Sequence, residues 1–165
     1  MNFTDLFAQR WLGPALLVVL ALAVLALAVG LMRRRRRMAV PEWPRLLADT
    51  EYFRRVLSVV LPVQGYVVGG YRTYQAPQEQ APREIVFSLR KDGRLYAALC
   101  VRWVIPVTSD IVGRFEQALA ASKADEGLIV TTSVFTEAAR ERARGLPVAL
   151  VDREGLEEWI AAVWG

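Results

Sequence analysis

The chain has no histidine and only one cysteine, Cys100, among its 165 residues. Lack of histidine removes the side chain that most often serves as a general base near neutral pH and as a metal ligand. A single cysteine cannot close an internal disulfide, which suits a reducing compartment. Cys100 lies mid-strand with no histidine to activate it and reads as a small buried hydrophobe. A phosphate loop is also missing, because "VVGGY" (67–71) lacks the Gly-Lys-Ser/Thr ending and the helix that should follow. The hydroxyls of "TTS" (131–133) have no neighbour that would make one of them a nucleophile. Polar groups are scarcest in "LYAALCVRWV" (95–104), where only Arg102 is charged. Positive charge is less plentiful than the formal +4 suggests. Six of the 21 Lys+Arg (Arg10 and Arg33–Arg37) and one of the 17 Asp+Glu (Asp5) precede residue 38, leaving 15 basic and 16 acidic residues and a net −1. Phosphate-backbone binding needs clustered positive charge, so this balance argues against a nucleic-acid partner.

What the chain does have is one long apolar run. From Leu12 to Met32 there is no charged or strongly polar side chain. As a helix that run spans about 30 Å, the thickness of a bilayer core. Gly13 and Pro14 fall in its first turn, where a missing N–H does little harm. A secretory signal would carry its positive charge ahead of the run. Here only Arg10 precedes it, and five arginines follow. The run is therefore expected to be a retained transmembrane helix (12–32) behind a short N-terminus (1–11) on the outer face. Positive flanks stay on the cytoplasmic side. Arg33, Arg34, Arg35, Arg36 and Arg37 should then lie against anionic lipid head groups, at about 1 kcal/mol each. This predicts a single-pass protein of the cell inner membrane with its C-terminal domain in the cytoplasm and the lipid bilayer as its first partner.

A basic, proline-bearing linker (33–45) should lead into one α/β domain (46–165). Apolar spacing predicts a helix over 46–61 ended by Pro62. "GYVVGGYRTY" (65–74) reads as a strand bent at its glycine pair. "EIVFSLR" (84–90), the turn "KDGR" (91–94) and a strand to about Pro106 read as a hairpin, since Asp-Gly accepts the positive φ of a tight turn. Beyond it helices and short apolar strands alternate. Ser109 or Asp110 caps a helix to about Lys123, and "GLIVTT" (127–132) is a buried strand. Thr136 caps a helix that Gly145 ends, "PVALVD" (147–152) is a second buried strand, and 153–164 is a final amphipathic helix. Such strands joined by helices imply parallel pairing within a mixed sheet covered on both faces.

The stretch "ADEGLIVTTSVFTEAARERARGLPVALVDREGLEEWI" (124–160) resembles the C-terminal half of the Mrr-like restriction endonuclease domain, within the PD-(D/E)xK nuclease superfold. The resemblance extends over about Asp49 to Ile160 and includes the Asp-Gly hairpin and a strand ending Arg-Trp. It implies a restriction-endonuclease-like mixed β-sheet flanked by helices, and some members carry N-terminal transmembrane helices. It also implies a catalytic set: an acidic residue on the first hairpin strand, then Glu or Gln on the second with Lys two positions later. The acidic groups hold Mg²⁺, and the lysine stabilises charge built up during attack on phosphate.

Where the family's second strand usually reads Val-Gln-Cys-Lys-Arg-Trp, this chain reads Ala98-Leu99-Cys100-Val101-Arg102-Trp103. The Gln position is Leu99, the Lys position is Val101, and counting back through the hairpin puts the acidic position at Val86. The resemblance thus predicts a pseudo-nuclease without metal or other cofactor, its three site positions aliphatic and packed shut. Two carboxylates offer a migrated metal site: Glu84, two residues before Val86 on the same face, and Glu116 in the following helix. As surface charges they would do nothing catalytic. Arg102 alternates to the opposite face from Leu99 and Val101 and cannot inherit the lysine's place.

Two functions follow from these residues. One is a catalytically inactive scaffold or protein interaction module, or an accessory subunit of a membrane complex, with a protein partner in the membrane or at its cytoplasmic face rather than nucleic acid, and with Tyr71, Tyr74, Trp159 and Trp164 either forming contact surface or packing inward. The other is a membrane-tethered DNA-binding protein or nuclease, for which Arg54, Arg55, Arg72 and Arg83 would supply a local basic patch.

Overall fold

The structure, a computed structural model, describes residues 41–74 and 84–165. The expected transmembrane helix, Arg33–Arg37 and Arg83 lie outside the described residues. The described chain forms α1 (Trp43–Ala48), α2 (Thr50–Val63), β1 (Val67–Tyr74), β2 (Glu84–Lys91), β3 (Arg94–Val101), α3 (Ser109–Ala120), β4 (Glu126–Thr131), α4 (Glu137–Ala143), β5 (Val148–Val151) and α5 (Arg153–Trp164). The strands make one sheet in the order β1-β2-β3-β4-β5. β1, β2 and β3 pair antiparallel, and β3, β4 and β5 pair parallel. This is the expected mixed sheet with helices on both faces.

The N-terminal helix departs from expectation. The apolar spacing over 46–61 is real, but the chain breaks at Asp49, which is extended (φ −123°, ψ 111°). Its Oδ1 accepts from the N–H groups of Glu51 (2.8 Å) and Tyr52 (3.1 Å). A short carboxylate that bonds its own following backbone competes with helix and starts a new one. The linker is correspondingly shorter, because Trp43–Ala48 already forms α1, anchored by fully buried Leu46. Nor does Pro62 end α2. It sits in the last turn, and the helix closes at Gly65, whose φ of +86° lets the Tyr66 N–H reach the Leu61 carbonyl at 3.1 Å.

In the hairpin Asp92 (φ 51°) and Gly93 (φ 78°) take the left-handed conformations expected of them. The glycine pair of β1 produces a register shift between Val68 and Gly70. β3 ends at Val101, five residues earlier than expected. There the Thr132 hydroxyl donates to the Trp103 carbonyl at 2.9 Å and Arg102 Nη2 donates to Thr50 Oγ1 at 3.1 Å, so side-chain bonds replace the ladder. α3 begins after Thr108 and stops at Ala120, short of Lys123. Thr136 caps α4 as expected, its hydroxyl accepting from the Ala139 N–H at 3.2 Å, and Gly145 follows at φ +87°.

Two apolar layers cover the sheet. One packs α2 and α5 on Phe87, Leu89, Ala98, Cys100 and Leu128. The other packs α3 and α4 on Leu99, Val101 and Ile129. Alternation along β3 therefore sends Cys100 to one layer and Leu99 and Val101 to the other. Burial pushes the Cys100 thiol up, which makes it inert. Trp159 and Trp164 pack against the first layer, whereas Tyr71 and Tyr74 are exposed.

Asp152 ties α4, β5 and α5 together. Its Oδ1 accepts from the Gly155 N–H at 3.2 Å and its Oδ2 from Arg140 Nη2 at 2.7 Å. Burial by itself would raise this carboxyl, but the Arg140 bond and the Gly155 N–H outweigh it and hold it below its usual value. A depressed carboxyl stabilises fully above its unfolded value of about 3.9 and loses that contribution as pH falls through the lower folded value. Asp152→Ala should therefore cost about 0.5–2 kcal/mol at pH 7. Urea unfolding should show the gap to wild type narrowing toward pH 2; a gap of equal size at both pH values would refute this account.

Candidate functional site

The hairpin register brings the family positions together. Val86 and Leu99 are direct cross-strand partners, and Leu99 pairs in turn with Ile129 of β4. Val101 lies two residues along the same face, opposite Thr131. The three do not share one environment. Val101 is fully buried and Leu99 is 6% exposed, but Val86 is only half-buried. The expectation of a face packed shut therefore holds at Val101 and very nearly at Leu99, and fails at Val86, the cross-strand partner of Leu99. These two, with Ala97, line a cleft of about 460 Å³ between the sheet and α3, to which Ile111, Phe115 and Leu119 also contribute.

The cause lies in the spacing of α3. Its apolar residues Ile111, Phe115 and Leu119 recur every four positions, so they form one wall rather than a plug. The polar lining is sparse: Glu84 from the start of β2, Arg114 and Ser122 on the helix side, and Tyr74 from the end of β1. Ser122 is engaged elsewhere, its hydroxyl donating to the Leu119 carbonyl at 2.7 Å.

Glu84 is not a solvated strand-end charge. Its side chain is 16% exposed, and Oε1 is buried with no hydrogen-bond partner among the described residues. Arg114 Nη2, on a half-exposed side chain, stands 4.0 Å from that oxygen. That is close enough for charge compensation and too long for a hydrogen bond. Periodicity alone could not reveal this, since a charge at a strand end looks solvated until a helix is laid beside it. Glu116 points to other work: its Oε2 accepts from Arg142 Nη2 at 3.0 Å, joining α3 to α4. Arg102 is on the α2 side, as the alternation implied, and burial lowers the pKa of its guanidinium.

The basic patch is only partly free. Arg54 and Arg55 both pair with Glu51, and the Arg54 guanidinium also lies 4.5 Å above the Tyr71 ring. A divalent cation fits this donor set poorly. Mg²⁺ and Ca²⁺ take several oxygen ligands, and among the described residues no three His, Cys, Asp or Glu side chains cluster. Among the described residues Glu84 is the sole carboxylate lining the cleft, beside a guanidinium.

The restriction endonuclease family Mrr_cat matches residues 48–160 of the chain. No curated protein matches it. Among solved structures, "MspJI Restriction Endonuclease in Complex with 27-mer Oligonucleotide" aligns over 73% of this chain and 27% of that one, at 20% identity and a TM-score of 0.40. The chain thus spans about a quarter of that enzyme's length.

Proposed function

The chain belongs to the Mrr_cat restriction endonuclease family, and on that premise we propose that it is a catalytically silent member, held at the cytoplasmic face of the inner membrane and acting as an interaction module. The observation that carries this reading is the cross-strand pair Val86 and Leu99, with Val101 behind it. These are the positions at which the family resemblance calls for a metal-binding acid, a Glu or Gln, and a lysine. Valine and leucine offer no lone pair to a metal and no charge to a phosphoryl oxygen. The apolar run 12–32 followed by Arg33–Arg37 supports the membrane anchor. A binding role fits a cleft that is largely apolar with few polar groups.

A second reading is a nuclease whose site has migrated. Glu84 favours it, because this carboxylate faces the same cleft as Val86 and Leu99, with Arg114 as the nearby cation. The two readings separate in one assay. The full-length protein in lipid nanodiscs is incubated with supercoiled plasmid in Mg²⁺ or Mn²⁺, with and without chelator. The silent module leaves the plasmid intact under every condition. Cleavage that chelator stops and Glu84→Ala abolishes would establish the migrated site instead. The anchor is tested separately: protease added to intact cells should spare residues 38–165, and cutting within them from outside would reverse the topology.

A further inference from the structure

We infer that the cleft over Val86 and Leu99 is a binding site for a neutral, aromatic small molecule of the indole class, whose single N–H donates to Glu84. The inference rests on the reading of the cleft as a binding site rather than a catalytic one; it does not depend on the membrane anchor.

Three observations define the ligand. The first is size and character: about 460 Å³, enclosed mainly by aliphatic side chains and Phe115. That volume is within the range of small-molecule pockets, and its lining favours a rigid apolar body. The second is the orphaned oxygen. Glu84 Oε1 is buried and lacks a hydrogen-bond partner among the described residues. A buried acceptor without a donor is costly, and a ligand that supplies one recovers that cost on binding. The third is charge. Arg114 Nη2 at 4.0 Å already offsets the carboxylate without bonding it. What the site lacks is a donor and not a charge, so a neutral N–H fits and a second cation would be repelled by the guanidinium. The same argument weighs against a metal ion here.

The test uses full-length protein in nanodiscs, labelled at the methyl groups of alanine, valine and leucine and titrated with indole. Saturable shifts are expected at Val86, Ala97 and Leu99, whereas partition of indole into lipid would move none of them. N-Methylindole keeps the ring and loses the donor, and should bind about ten- to a hundredfold more weakly. In Glu84→Ala that preference should vanish, with both ligands binding at the weaker level. In Glu84→Gln, where an amide oxygen still accepts, part of it should remain. Equal affinity of wild type for indole and N-methylindole would overturn the assignment, as would absence of shifts at the three residues. So would selective broadening of the Val86 methyls by micromolar Mn²⁺, which would make the site a metal site. Failure on these counts with no plasmid cleavage leaves the silent module standing. Metal-dependent cleavage removes that module directly.

Discussion

Val101→Lys should leave the domain unfolded, or melting far below wild type, whereas Val86→Asp should be tolerated with a modest loss. The two substitutions restore the charged residues that the family resemblance places at these positions, yet they enter different surroundings. Val101 is fully buried between the sheet and α3, paired with β4 through Thr131 and packed in the layer with Val107, Val112 and Phe135. An uncompensated charge placed in such an interior costs about 3–5 kcal/mol, a large share of the roughly 5–15 kcal/mol that holds a domain together. Val86 is half-buried and lines the cleft, so an aspartate there keeps access to water and lies near Arg114. Leu99→Gln should fall between, since Leu99 is 6% exposed but also borders the cleft. The triple variant should therefore fail at the lysine before it can act on DNA. Thermal unfolding of the three single variants by circular dichroism would check the ranking. Equal losses at Val86 and Val101 would mean the cleft does not exist in solution.

Gly127→Val should be nearly as damaging, and Gly127→Ala should connect stability to the cleft. Gly127 lies in β4 under α3, where a Cβ would meet Phe115 Cε1 at 2.6 Å and both Leu119 Cδ2 and Val148 Cγ2 at 3.1 Å. A contact of 2.6 Å cannot persist, so the Phe115 ring must move. Its free side is the cleft it lines. With alanine the ring can be displaced into that space, at the cost typical of overpacking, about 1–3 kcal/mol. The melting temperature should drop by about 2–8 °C for each kcal/mol lost, and the cleft should become smaller. Valine adds two methyl groups against the same three neighbours and should cost more. Phe115→Leu, which shortens the obstructing side chain, should recover part of the loss when combined with Gly127→Ala. If Gly127→Ala matches wild type in stability, the close packing of α3 on β4 described above is wrong.

The amino-acid sequence by itself determined the succession of elements after Gly65, the Asp-Gly turn and the two faces of β3. These depend on local chemistry: positive φ at Asp92 and Gly93, alternation at Leu99, Cys100 and Val101, and a threonine cap at Thr136. It also brought out the family resemblance, which the residue motifs between Ala124 and Ile160 carry. Asp49 shows where such local reading fails: apolar spacing ran straight through it, and only its bonds to the Glu51 and Tyr52 N–H groups show two helices. The early end of β3 was equally hidden, since it depends on Thr132 and Thr50, far along the chain from Trp103 and Arg102. Tertiary structure alone decided whether the aliphatic site positions are sealed or open. Alternation assigns Val86, Leu99 and Val101 to one face, but the space above that face is set by where α3 comes to rest. Val101 is sealed in the layer with Val107, Val112 and Phe135, while the wall of Ile111, Phe115 and Leu119 stands off from Val86, leaving a cleft with the Glu84 Oε1 buried at its edge. No period in the sequence encodes that gap, because it arises between elements that are distant in the chain.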